Sequence, residues 1–310
     1  MKPILFASHR PLYRAENIKA IWDKFTWGKE FIQLNRMRDN YVLGDPKYKV
    51  LVTDEFVKNA PDVCIMVGHG IAGTKTYGMD QPFPYHTKED AKLLTYVITT
   101  GRLMKGLTAR QSGVGIDRVL SLGMPRTDQY FNIEKSGRDK RTYLFLPTYR
   151  GYMEGDDPMD TTDFRLIDEL LNDDEEFIVK AHMLDYDPRI EYEHIKVITN
   201  YEPTADYLIN SDVVITDYSS ILFDAYILEK PVVLFAKDVE QYSVNRMLYF
   251  KYPEGYSGRF CDNERELVEM IRKADKPTEI EKRLGGVVCE SCDGHSTDRI
   301  IELIKEEARK

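Results

Sequence analysis

Short runs rich in β-branched and aromatic residues recur along this chain, and most are followed by a stretch with helical spacing. Strands are expected at KPILFAS, YKVLVTD, DVCIMVG, TYVITTG, RVLSLG, TYLFLP, EFIVKAH, KVITN, DVVITD and PVVLF. Between them, AENIKAIWDKF, DFRLIDELL and ERELVEMIRKA place apolar residues three and four apart. Parallel strands need a crossover between them, and a helix supplies it while covering a sheet face. The alternation therefore predicts an α/β architecture with parallel sheets covered on both sides. At 310 residues the chain can bury two such cores. The polar break NIEKSGRDKR reads as a linker and divides the chain into domains 1–138 and 139–310. The closing stretch STDRIIELIKEEARK carries Ile300, Ile301 and Ile304 on one side. A Ser296 or Thr297 cap is expected for it, and it is free to pack back on the first domain.

Open parallel sheets hold ligands beyond the carboxyl ends of their strands, and four strand exits carry concentrated polar chemistry. VVITDYSSILFDAYILEKPVVLF ends an apolar strand in Asp217, Tyr218, Ser219 and Ser220 and turns straight into an apolar helix. The first amides of that helix lack intrahelical partners, so a phosphate could dock there and on the serine hydroxyls. The plainer reading is that Asp217 or Ser219 only caps the helix. Asp224, one turn in among Leu222, Phe223, Ala225 and Ile227, is an acid that needs a partner. The second exit, DVCIMVGHGIAGTKTYGMD, surrounds His69 with Gly68, Gly70, Gly73 and Gly78, and an imidazole in such a loop is a candidate base. EFIVKAHMLD sets His182 directly after a strand. TYLFLPTYRG brings out Thr148 and Arg150, a hydroxyl and a planar fork suited to phosphate.

Several functional classes fall away. The net charge of −9 argues against a general nucleic-acid binder. No apolar run approaches membrane-span length, and MKPILFASHR is too soon interrupted for a secretion signal, so a cytoplasmic location is expected. Trp22, Lys24, Trp27 and Lys29 form the one local patch suited to peripheral contact with the inner membrane face. Four cysteines (Cys64, Cys261, Cys289 and Cys292) fit a reducing compartment. GHGIAGTKT almost spells a P-loop, but Thr74 displaces Lys75 by one place. CESCDGH offers C-x-x-C with a histidine, yet only Cys261 could join it, so no metal is expected, and no cofactor.

The same residues resemble a known family, the CDP-glycerol glycerophosphotransferases that build teichoic acid and related polyol-phosphate chains. GHGIAGTKTYGMD is similar to their W-H-G-T-P-L-K-x-L-G-x-D stretch, LGMPRTDQYF to G-x-P-R-N-D, LPTYRG to P-T-[WY]-R, and VKAHMLD to their second histidine. VVITDYSSILFDAYILEKPVVLF follows the strand-D-Y-S-S-x-x-F-D signature almost throughout. KDVEQY and CDGHSTDRIIELI fit the later D-x-E-x-Y and D-G-x-[AS]-x-x-R segments. The matches run in order from about residue 63 to the end. Departures cluster on the acceptor side: Gly68 replaces the family tryptophan, Ile71-Ala72 replaces T-P, Met183 follows His182, and Thr127 replaces the asparagine of R-N-D.

The resemblance implies a GT-B-like fold of two Rossmann-like doubly wound domains. The active site would lie in the cleft between an acceptor-side first domain and a CDP-donor-binding second domain. It implies transfer of glycerol phosphate, or a related polyol phosphate, from a CDP-activated donor to a hydroxyl of a glycan or lipid-linked glycan acceptor, releasing CMP. His69 is then the base and His182 the donor-phosphate contact. Thr148, Arg150, Asp217, Ser219, Ser220 and Asp224 form the donor cradle, while Gly70, Arg126, Asp128, Asp293 and Arg299 line the cleft. The rival enzyme is a GT-B glycosyltransferase or sugar-nucleotide epimerase using a nucleotide-sugar. From another class, the rival is a non-catalytic nucleotide-binding relative. The sequence does not distinguish glycerol from ribitol, or primase from polymerase, and gives no oligomeric state.

Overall fold

The structure, a computed structural model, describes residues 2–34, 43–75, 78–80, 86–132, 139–148, 150, 158–180, 191–198 and 202–310. The chain forms two compact units, Met1–Asn132 together with Val287–Lys310, and Ile133–Gly286. The expected boundary at 138 falls outside the described residues. The segment from Val287 onward groups with the first unit instead of closing the second.

The first unit is built on six parallel strands: β1 (Ile4–Ser8), β2 (Lys29–Gln33), β3 (Val50–Thr53), β4 (Val63–Met66), β5 (Tyr96–Thr99) and β6 (Val119–Ser121), in the order β2-β1-β3-β4-β5-β6. Successive side chains of a strand point to opposite faces. Accordingly Ile4 and Phe6 enter one core with Val50, Val52 and Ile65, while Leu5 and Ala7 enter the other with Leu51, Cys64 and Met66. The first core is covered by the helix Glu16–Lys24, through Ile18 and Ile21, and by the closing helix Ser296–Arg309, through Ile300, Ile301 and Ile304.

The second unit carries β7 (Arg141–Leu146), β8 (Glu175–Lys180), β9 (Ile195–Ile198), β10 (Val213–Thr216), β11 (Val232–Phe235) and β12 (Phe260–Cys261), all parallel, in the order β12-β11-β10-β7-β8-β9. Tyr143, Phe145, Phe177, Val213, Ile215 and Val233 meet the helices Phe164–Leu170 and Glu264–Lys273 on one face. All ten expected strands are present, and β2 and β12 join them as edges that the sequence did not signal. Strand order reverses between β1 and β3 in the first sheet and between β7 and β10 in the second. At such reversals the crossovers run to opposite faces and leave a crevice at the strand ends.

The patch of Trp22, Lys24, Trp27 and Lys29 is folded into its own unit. Trp22 packs edge-on against Phe6 at 5.5 Å, Lys29 lies 4.5 Å over the Trp22 ring, and Lys24 pairs with Asp298 at 3.0 Å. No helix among the described residues is long and apolar enough to cross a membrane.

Candidate functional site

In the second unit the reversal falls between the exits that carry Thr148 and Asp217. Asp217 is 1% exposed and gathers the two strand ends together. Thr148 donates to it through its backbone N (3.0 Å to either oxygen) and its hydroxyl (2.6 Å), and the Tyr218 amide donates at 2.6 Å. Arg150, 3% exposed, sets Nη2 2.9 Å from Asp217 Oδ2 and donates from Nε to Asp238 Oδ2 at 2.8 Å. Its guanidinium lies 4.9 Å and 4.8 Å from the stacked rings of Tyr218 and Tyr242, and the Tyr218 hydroxyl donates to Asp238 at 2.9 Å. Burial alone would lower the Arg150 pKa, but Asp217 and Asp238 outweigh it and the net shift is upward. The fork that the sequence offered to a phosphate therefore grips two carboxylates, and Thr148 and Asp217 are spent in the same network. Asp238 and Tyr242 belong to it, although the sequence marked KDVEQY only as a family segment.

Outward from this knot, Ser219 and Ser220 remain half-buried. The helix beyond them runs from Ile221 to Ile227, starting slightly later than expected, and Ser220 at its N-cap makes no side-chain capping bond. The Ser219 hydroxyl accepts from Ile221 N at a long 3.4 Å. Capping thus does not account for either hydroxyl. Asp224 is fully buried on that helix. His182 lies outside the described residues.

In the first unit, the exit of β4 carries His69 on a glycine loop. Gly68 sits at φ +66°, a backbone region costly to side-chain-bearing residues. Its carbonyl accepts from Asn17 Nδ2 at 2.9 Å, and Asn17 Oδ1 in turn accepts from the Arg126 amide at 2.9 Å. One buried amide thereby pins both the His69 peptide and the G-M-P-R segment. Nothing in the helical pattern around Asn17 signalled this. His69 and Gly70 are half-buried. Burial foremost, with the charges of Arg10 and Arg126, lowers the His69 pKa to about 4, against opposing contributions from Glu55 and a hydrogen bond with the Asp54 backbone. The imidazole is therefore neutral and proton-accepting at neutral pH.

The remaining expected cleft residues make their bonds within the first unit. Asp128 accepts from the amides of Ser296 (3.0 Å) and Thr297 (2.7 Å), so it caps the closing helix in place of either of those side chains. Arg299 donates to Asp293 at 2.9 and 2.8 Å and to the Leu122 carbonyl at 3.0 Å. Arg126 is buried, with Nη1 3.9 Å from Glu16. Gly123, at φ +92°, lies so close to this corner that a Cβ would meet Ser291 O at 2.2 Å. Cys289 and Cys292 are buried and not joined in a disulfide. Among the described residues, the group able to converge on an ion is the largely exposed Asp173, Glu193 and His194.

Two open parallel sheets, each with polar side chains at the strand ends beside its reversal, define an α/β protein of the GT-B-like class. Within that class the chain belongs to the CDP-glycerol:poly(glycerophosphate) glycerophosphotransferase family, whose pattern matches residues 5–306. It is 25% identical over 285 residues to a teichoic acid poly(ribitol-phosphate) polymerase of Bacillus spizizenii, covering 84% of this chain and 45% of that protein. The chain thus spans less than half the length of that polymerase. It is 27% identical over 284 residues to a teichoic acid glycerol-phosphate primase of Bacillus subtilis, covering 83% and 73% respectively. Its fold is similar to that of the wall teichoic acid polymerase TagF (TM-score 0.74, 19% identity, 99% of this chain and 89% of that one). It is also similar to a UDP-GlcNAc 2-epimerase from Neisseria meningitidis (TM-score 0.60, 14% identity, 99% and 100%).

Proposed function

We propose that this chain transfers glycerol phosphate, or a related polyol phosphate, from a CDP-activated donor to a hydroxyl of a glycan or lipid-linked glycan in cell-surface polymer synthesis. The observation that carries this reading is the half-buried Ser219–Ser220 corner beside a strand-order reversal, in a chain that matches the family from residue 5 to 306. The acceptor oxygen attacks the phosphorus that bears the polyol, the bond from that phosphorus to the CMP oxygen breaks, and CMP departs. Charge spreads over the phosphate oxygens in such a transfer, and hydroxyls placed to donate stabilise it. Ser219 and Ser220 take that part, with His182 as a further contact by family resemblance. The Thr148–Asp217–Arg150–Asp238 network holds the corner in place. His69, neutral at working pH, takes the acceptor's proton.

Incubation with CDP-glycerol and CDP-ribitol against candidate acceptors, with CMP release as readout, tests the reading. His69→Ala is expected to lower turnover by about 100-fold or more while CDP still binds. Normal turnover in that variant removes the base assignment. The similarity to an epimerase keeps a nucleotide-sugar reading in view. Thermal stabilisation by CDP and CMP, but not by UDP or GDP, separates the two.

A further inference from the structure

Resting on the reading of His69 as the base, we propose that Asp54 is its positioning residue: the Asp54 backbone holds the imidazole, and the buried carboxylate offsets the charge that the ring gains with the acceptor's proton. Asp54 follows β3 directly, on one flank of the strand-order reversal of the first sheet. Ser8, the last residue of β1, lies on the other flank, and His69 leaves the next strand over. The Ser8 hydroxyl donates to Asp54 Oδ2 at 3.0 Å and accepts from the Arg10 amide at 3.0 Å, locking the two strand ends together. Asp54 is 2% exposed, and its second oxygen, Oδ1, has no hydrogen-bond partner among the described residues. A carboxylate buried with half its accepting capacity unspent is costly, and such a group calls for a role.

The charges around the ring supply that role. Arg10 from the β1 exit and Arg126 from the G-M-P-R segment both oppose a proton on His69. Half-buried Glu55, 4.0 Å from His9 Nε2, favours it. A base that must become an imidazolium between two cations needs a nearby anion, and a buried one acts through a lower effective dielectric. Burial first, and Glu55 second, push the Asp54 carboxyl up to about 6, so at neutral pH it is largely ionised and available to offset a charge on the ring.

The test is a ¹³C-histidine NMR titration of the ligand-free protein as wild type, Asp54→Asn and Ser8→Ala. In the wild type the His69 signal should move in two steps, near pH 6 and near pH 4, and in Asp54→Asn the upper step should vanish. Matching curves in the two proteins overturn the proposal. Should Asp54→Asn not fold, Ser8→Ala, which removes the hydroxyl bonded to Oδ2, should displace the upper step, and an unmoved step is equally fatal. In turnover, Asp54→Asn should lower kcat about 10- to 100-fold with the KM for CDP-glycerol within about twofold. A loss confined to KM contradicts it. Absence of CMP release from the wild type would defeat the transferase reading and leave the titration standing, so the two failures are distinguishable.

Discussion

Arg150 shows how one cation can organise a strand-end corner. It is flanked by two aromatic rings and paired with Asp217 and Asp238, while Asp217 also fixes Thr148 and the Tyr218 amide. Removing the cation leaves two largely buried carboxylates without their partner, which costs more than the pair itself contributes. Arg150→Met is therefore expected to lose about 3–5 kcal/mol in chemical denaturation, with Asp238→Asn added to that background recovering part of the loss. A loss below about 1 kcal/mol in the single variant would mean that the network is solvated after all. The sequence could show that a guanidinium leaves a strand here. It could not show which anions meet it, because Asp238 lies 88 residues away and reads on its own as an ordinary loop acid.

At the level of elements, the closing helix is held at its start by a side chain from a distant segment. Asp128 occupies both first amides, 168 and 169 residues further on in the sequence. Asp128→Ala should cost about 0.5–2 kcal/mol and speed hydrogen exchange at the Ser296 and Thr297 amides. Unchanged exchange there would refute the cap. The sequence suggested a local Ser or Thr cap because capping is usually local, and a contact across the fold leaves no local trace. The strands were more legible. A strand covered on both faces must be apolar at nearly every position, so VLVT, VCIM and VVIT announce themselves. β2, KEFIQ, is partly exposed along its length and β12 is two residues long, so neither carries that signal. The strand exits followed from the same logic, which made His69 and the D-Y-S-S corner visible. Ser8, Asn17 and Asp54 remained hidden, since each takes its meaning only from a partner on another strand or helix.

Across the whole molecule, two parallel sheets each carry their polar chemistry at the carboxyl ends of strands, as their topology requires. The first unit is completed only by residues 287–310. Ile300, Ile301 and Ile304 of the closing helix are almost fully removed from water, which stabilises the unit by on the order of 6 kcal/mol. A chain ended at Gly286 would uncover the face formed by Ile18, Ile21, Val50 and Val52. It should lose the cooperative melting of that unit by calorimetry. Two undiminished transitions would show that the helix is dispensable.

The order in which the chain is made has a bearing on this. As it leaves the ribosome, everything that the second unit needs has emerged while the first still lacks a wall. The part encoded earlier must therefore wait, its Ile18 and Val52 unsheltered, until the tail arrives to finish it.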